Sequence, residues 1–409
     1  MNRRRVVVTG LGLVTPLGVG TAPTWQGLLA GRIATGPVRS FDAGPYRVDR
    51  GAEITGFCPE HHLQRVPAES IGRASQFAAA AARMAVADAG LDDVPSPAMA
   101  ERSGVAMGTT SGEPAEIERF DDAWIAGRSA ESDPRFVQRY PFHVIAQNVA
   151  AEVGFRGPVR MLPNACAAGN YAVAQATELL RSGAVDRMLA GGADIFSRIT
   201  YSGFARLGAV APDRCRPFDR ERRGMIPGEG AGVLLLETLE AARARGAHIY
   251  AEVAGYGLSC DAHHMTGAHP TGDGAVRAME RALSSAGAVP GDVSYVSAHG
   301  TGTQANDRVE AIAIQRLFGA RAAATPVSSI KSMIGHTMGA ASAIEAAVCA
   351  LAVRDGWIPP TANFVAADDD CHLDFVPNVA RRLPVKLAMN NAYAFGGSNA
   401  SVLFRAVDA

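Results

Sequence analysis

Short, nearly unbroken apolar runs alternate along this chain with longer stretches in which apolar residues recur every three or four positions. The runs predict buried strands and the longer stretches predict helices. RVVVTGLG (Arg5 to Gly12) reads as a strand entering a Gly-rich turn, and Ser75 to Gly90 as an alanine-rich amphipathic helix. SGVAMGTTSG gives a second strand and turn, and another strand ends at Met161-Leu162. Tyr171, Val173, Ala176, Leu179 and Leu180 then recur at helical spacing, so a strand turns into a helix around Cys166. Arg187 to Ala190 is a short strand ending in GGAD, and GEGAGVLLLE is a strongly apolar one. A helix at Leu239 to Gly246, a strand at Ile249 to Tyr256, a helix at Ala278 to Gly287 and a strand at Val293 to Ala298 follow. The polar segment Glu113 to Arg139 interrupts the alternation and reads as a cap or an interface insertion.

The pattern repeats itself. TPVSSIKSMIGHTMGAASAIEAAVCALAVRDG again gives strand, loop and small-residue helix, with Arg354-Asp355-Gly356 closing it as Arg181-Ser182-Gly183 closes the earlier helix. GGSNASVLFR near the carboxyl end likewise resembles GEGAGVLLLE. Two related βα-rich halves, 1–247 and 248–409, would form a layered α/β/α/β/α body, and the lack of a low-complexity linker favours one compact unit.

Composition narrows the picture. At 409 residues, 48% hydrophobic, the chain has ample core material for such a body. Its 39 Lys plus Arg against 40 Asp plus Glu offer no electrostatic case for nucleic acid or a membrane surface. The apolar run after MNRRR is too short to span a bilayer, so a soluble cytoplasmic protein is expected. Six cysteines without CxxC pairing argue against a zinc site or a disulfide framework. GLGLVTPLGVG lacks the GxGxxG spacing of a dinucleotide loop, and turn geometry is the expected job of its glycines.

Cys166 stands where unpaired helix N–H groups would favour a thiolate nucleophile, among small residues that leave room for a substrate carbonyl. A cysteine taken alone is more often a small buried hydrophobe. His299, after an apolar strand, and His336, between strand and helix, are each ordinary loop histidines when taken singly. Three reactive side chains at three strand mouths, each wrapped in Gly, Ala, Ser or Thr, point to one site.

NACAAG, AHGTGTQAND, KSMIGHTMGAA and AFGGSN, together with RPFD, GEGAG and SCDAHHMT, resemble the signature blocks of the β-ketoacyl synthases. These are the elongating condensing enzymes of fatty-acid and polyketide assembly, with a thiolase-type fold. The resemblance implies that Cys166 accepts the growing acyl chain from an acyl carrier protein and that His299 and His336 hold the malonyl thioester carbonyl. It implies supporting roles for Lys331, Glu345, Asp307 and Glu310, pantetheine contacts at Thr301 and Thr303, and a gate at Phe395, Gly396 and Gly397. The N–H groups of Cys166 and Phe395 would receive the oxyanion. No metal or organic cofactor is implied beyond the carrier's phosphopantetheine.

The chain departs from the family at Arg223, where Asp is frequent, at Met225, where Phe is frequent, and at Tyr393, where Phe is common. Ser111 falls at a turn that in the family reaches the end of the acyl pocket. Family members are dimers, so a homodimer or a heterodimer with a related chain is expected, with Met188 to Ile195 as a candidate contact. Arg73 and Arg206 are candidate docking residues for an acidic carrier protein. Three rival readings stand beside the synthase. A biosynthetic thiolase would need a second active cysteine, a non-catalytic chain-length partner would lack the nucleophile, and a Cys-His hydrolase would need an orienting Asn or Asp.

Overall fold

The structure, a computed structural model, describes residues 4–92, 94–368 and 371–407, so the opening Met1 to Arg3 lies outside the described residues. In the first half the chain forms β1 (Val6–Thr15), α1 (Arg73–Asp88), β2 (Ser103–Gly108), α2 (Pro114–Ile125), α3 (His143–Val153), β3 (Val159–Leu162), α4 (Ala168–Arg181), β4 (Arg187–Asp194), α5 (Arg198–Arg206) and β5 (Gly230–Thr238). The second half contributes β6 (Ala251–Cys260), α6 (Asp273–Ala286), β7 (Tyr295–Ser297), α7 (Gln304–Phe318), β8 (Val327–Ser328), α8 (Ala341–Asp355), β9 (Leu387–Tyr393) and β10 (Ser398–Arg405).

Strand order exposes the duplication. The first half runs β1-β5-β4-β2-β3 and the second β6-β10-β9-β7-β8, the same order displaced by five. Pairing sense repeats as well: the first two ladders of each half are antiparallel and the last two parallel. The halves join edge to edge through a short antiparallel contact, Val7 opposite Glu252 and Val8 opposite Ala251. The 247/248 division falls in the loop before β6.

Helices α1 and α3 cover one outer face, burying Phe77, Ala81, Ile145 and Val149 against Val105, Leu189, Val233 and Leu235. Helices α6 and α7 cover the other, with Met279, Leu283 and Ile314 against Val296, Met389 and Leu403. Between the sheets lie α4 and α8, whose Val173, Leu180, Ile344 and Val348 meet Leu234, Leu236, Val402 and Phe404. The result is the thiolase-like α/β/α/β/α stack. The leucines of β5 run unbroken because alternate ones face an outer and a central helix layer, leaving neither face to water. Truncating one of them to alanine would cost about 2–5 kcal/mol.

Some expectations change. Gly10 and Gly12 serve close packing rather than a turn: a Cβ there would lie 2.0 Å from the Ala85 carbonyl oxygen and 1.8 Å from that of Ala81, so β1 continues to Thr15 with α1 pressed upon it. The segment Glu113 to Arg139, which interrupts the alternation of apolar runs, contains α2. Met188 to Ile195 is no free edge, because β4 is buried and paired on both sides; the edge of this half is β3. A strand already bonded to two neighbours has no N–H row left for a partner.

Candidate active site

Cys166 sits in a 3-10 turn, Ala165–Ala167, between β3 and α4, with Ala165 in the left-handed region at φ 47°. The second half repeats the device: Met338, at φ 53°, opens the 3-10 turn Met338–Ala340 before α8. Gly339 stands there where Cys166 stands in the first half, and a Cβ on it would come within 2.6 Å of Asp194 Oδ2. Such strained non-glycine turns are kept where the surroundings fix them. One copy of the turn presents the sulfur; the other supports it.

His299 follows β7, and two carboxylates of α7 hold its loop. Glu310 accepts the N–H of His299 at 2.8 Å and of Gly300 at 2.7 Å. Asp307 accepts those of Thr301 at 3.0 Å and Phe218 at 2.7 Å. These acids therefore anchor backbone. His336 is fixed through its N–H to the Ile226 carbonyl at 2.7 Å, and its Nδ1 accepts the Met338 N–H at 3.1 Å. With Nδ1 an acceptor, the neutral ring carries its proton on Nε2.

The fold brings the three together. Cys166, His299 and His336 each place a ligand-type atom within 4.8 Å of the others, and the two imidazoles meet edge to face, 5.4 Å between centroids. All three line a cavity of about 680 Å³ that also includes Phe204, Arg223, Thr301, Tyr393 and Phe395. A larger groove, about 840 Å³, lies at the outer end of the second half near Arg321 and Lys386, away from any of these groups.

Burial sets the electrostatics. It pushes both imidazoles well below their ordinary value, helped by the nearby Lys331 ammonium. Each ring is neutral at physiological pH. Lys331 is itself buried against the Glu345 carboxylate, which burial raises to about 7 while Lys331 opposes the rise. Burial also pushes the Cys166 thiol up to about 12, with Lys331 the main opposing influence. Burial thus works against the thiolate expected at a helix mouth, in a desolvated turn one residue short of α4. The three atoms have the spread of a metal-ligand set. However, the ammonium that depresses both imidazoles would repel a divalent ion more strongly still.

The other expected residues separate into groups. Thr301 and Thr303 line the cavity, their hydroxyls 2.9 Å apart, and Thr303 also caps α7. Phe395, half exposed at the rim, lies 5.8 Å from Phe204, and Gly396 and Gly397 take φ of 81° and 77° behind it. Ser111 is outside the cavity wall; its N–H donates to Asp194 at 2.9 Å and its hydroxyl meets Thr200 at 3.2 Å. Arg73 is engaged within the protein: its guanidinium bonds Glu229 at 2.9 Å and lies 4.5 Å over the Phe77 ring. Arg206 is exposed in the last turn of α5, beside cavity-lining Leu207.

Asp194 escaped the sequence reading. Buried at the end of β4, it accepts the Thr109 hydroxyl and the N–H groups of Thr110, Ser111 and Gly339, all within 2.9 Å, and so ties the strand-mouth loops of the two halves. The GGAD ending was its only trace, and nothing local says which loops it meets. Cys349 and Cys371 are fully buried and absent from the cavity, which removes the second nucleophile a thiolase needs.

A duplicated thiolase-like body with Cys, His and His converging at its strand mouths defines the condensing acyltransferases. The chain belongs to the β-ketoacyl synthase family: Beta-ketoacyl synthase, N-terminal domain, matches residues 3–242 and Beta-ketoacyl synthase, C-terminal domain, matches residues 250–365. It is 42% identical to the Streptomyces glaucescens tetracenomycin polyketide synthase ketoacyl synthase alpha subunit, covering 98% of this chain and 97% of that one. It is 38% identical to the Synechocystis 3-oxoacyl-[acyl-carrier-protein] synthase 2, over 99% of both. Among solved structures, the ishigamide ketosynthase/chain length factor superposes with a TM-score of 0.95 at 43% identity, covering 99% of this chain and 100% of that one. A type II polyketide ketosynthase in complex with its acyl-carrier protein gives 0.91 at 33% identity, with the same coverage.

Proposed function

We propose that this chain elongates carrier-bound acyl thioesters by decarboxylative condensation with a malonyl carrier, and that Cys166, His299 and His336 perform it. The observation that carries the reading is their meeting within 4.8 Å in one cavity. Cys166 attacks the acyl thioester, and because burial favours the protonated thiol, a neighbouring neutral imidazole accepts its proton as the C–S bond forms. The carrier thiolate leaves and takes that proton from the imidazolium, which returns the ring to its neutral form. The malonyl thioester then enters, and the N–H groups of the two imidazoles hold its carbonyl oxygen. Its carbon–carbon bond breaks, CO₂ departs, and the electron pair becomes an enolate stabilised by those neutral donors. The enolate carbon attacks the acyl-Cys carbonyl, whose oxyanion receives the N–H groups of Cys166 and Phe395. Collapse breaks the acyl–sulfur bond and frees Cys166 as a thiolate, which takes one proton from solvent to regenerate the thiol.

Arg206, together with Arg223 at the cavity wall, forms the basic side of an entrance that Phe395 and Leu207 make apolar, which suits an acidic carrier. A second chain, identical or related, pairs along the free edge β3. The two halves divide at 247/248, no cofactor beyond the carrier's pantetheine takes part, and the enzyme works in the cytoplasm. Among the described residues no helix is long and apolar enough to cross a membrane. A non-catalytic chain-length partner would have no use for the assembled trio.

Intact-mass measurement after incubation with an acyl carrier tests the reading. It should show the acyl group on Cys166, and added malonyl carrier should release a product two carbons longer. Free acid without a new carbon–carbon bond would indicate a hydrolase, and no adduct a scaffold.

A further inference from the structure

Tyr393 closes β9 in the wall of the Cys166 cavity, 7% exposed, its ring 5.8 Å from that of His299 and nearly edge-on to it. Its hydroxyl has no hydrogen-bond partner among the described residues, and neither has Nδ1 of His299 beside it. Other buried tyrosines are satisfied within the protein. Tyr295 meets the Ser328 hydroxyl at 2.9 Å, Tyr201 donates to the Val48 carbonyl at 2.9 Å, and Tyr250 to Asp88 at 2.8 Å. Leaving a buried hydroxyl unpaired is costly, and such groups call for a ligand that completes them.

We propose that the Tyr393 hydroxyl is a specificity-determining donor that binds the carboxylate of the malonyl extender before it is lost as CO₂. This deepens the condensation reading and rests on it. In that reading the imidazole pair takes the thioester oxygen, and the carboxylate, one methylene away, is the remaining polar group at this end of the substrate. An acyl primer has no such group, so the hydroxyl separates extender from primer. Burial, with Glu310 and Asp261 nearby, holds the phenol well above its ordinary value, so it stays a neutral donor. A bond to the carboxylate is strongest before decarboxylation and weakens as charge moves onto the enolate. It therefore favours binding more than it favours the transition state.

Tyr393→Phe, which removes only the oxygen, tests this. Its melting temperature should match wild type, and Cys166 should be acylated at the wild-type rate. KM for malonyl carrier should rise roughly tenfold, as for a lost hydrogen bond to a charged group, while kcat holds or increases. An unchanged KM overturns the proposal, as does a parallel fall in acylation and condensation, which would mark Tyr393 as structural. Wild-type protein that fails to acylate Cys166 would overturn the condensation reading beneath it, a result distinct from either.

Discussion

Met338 donates its backbone N–H to Nδ1 of His336 at 3.1 Å, so a residue two positions downstream decides which nitrogen of the ring carries the proton. The turn that repeats the Cys166 turn thus serves as a tautomer lock. Replacing His336 with Ala should lower malonyl decarboxylation about 10²–10³-fold, the usual loss for one oxyanion donor, while Cys166 still accepts an acyl group from the carrier. Radiolabelled CO₂ release and intact mass measure the two steps separately.

The pH behaviour follows from burial. Both imidazoles lie well below 6.5, so condensation should hold its rate as pH falls through 6.5 and fail only where the rings finally protonate. With the thiol raised to about 12, iodoacetamide labelling of Cys166 in the free enzyme should keep climbing beyond pH 9. A labelling plateau below pH 8 would show that the helix end prevails after all.

Lys331 and Glu345 are each about 1% exposed and pair with one another. Lys331→Met or Glu345→Leu alone should destabilise by about 3–5 kcal/mol through the stranded charge, and the double variant should recover much of it. Denaturant melts would measure this. Because the ammonium helps depress both histidines, Lys331→Met should also shift the acid limb of activity upward, a change packing loss alone would not produce.

Reversing charge at the entrance separates docking from chemistry. Arg206→Glu with Arg223→Glu should raise KM for carrier-bound substrates several-fold, more at low salt than at high, with little effect on a small-molecule thioester. Arg73→Ala should instead lower thermal stability, because it leaves the buried Glu229 carboxylate with backbone N–H donors but no cation.

Chelation addresses the ligand-like spread of the trio. Prolonged dialysis against EDTA should leave condensation intact and metal analysis should find no stoichiometric zinc; loss of activity restored by zinc would require another mechanism.

The fold was legible where one local rule was enough. Unbroken apolar strands such as GAGVLLLE announced burial on both faces, and the matching helix ends at Gly183 and Gly356 betrayed the repeat. Gly10 and Gly12 read as turn glycines because a glycine demanded by a helix far along the chain looks locally like one demanded by a turn. Arg73 looked like any surface arginine until Glu229 and Phe77 arrived beside it. Asp194 carried no signal beyond GGAD, since its four donors come from two distant loops.

What the sequence alone determined was the chemical inventory: a sulfur at a strand-to-helix turn, two imidazoles at strand mouths, and a duplicated order of elements. Periodicity and turn residues act over a few positions, so a chain can state them without its fold. Tertiary structure decided the rest: that the three groups share one cavity, that burial keeps thiol and imidazoles neutral, and that Asp307 and Glu310 hold backbone. Desolvation and hydrogen-bond partners belong to the space around a group, and only packing two halves face to face creates that space.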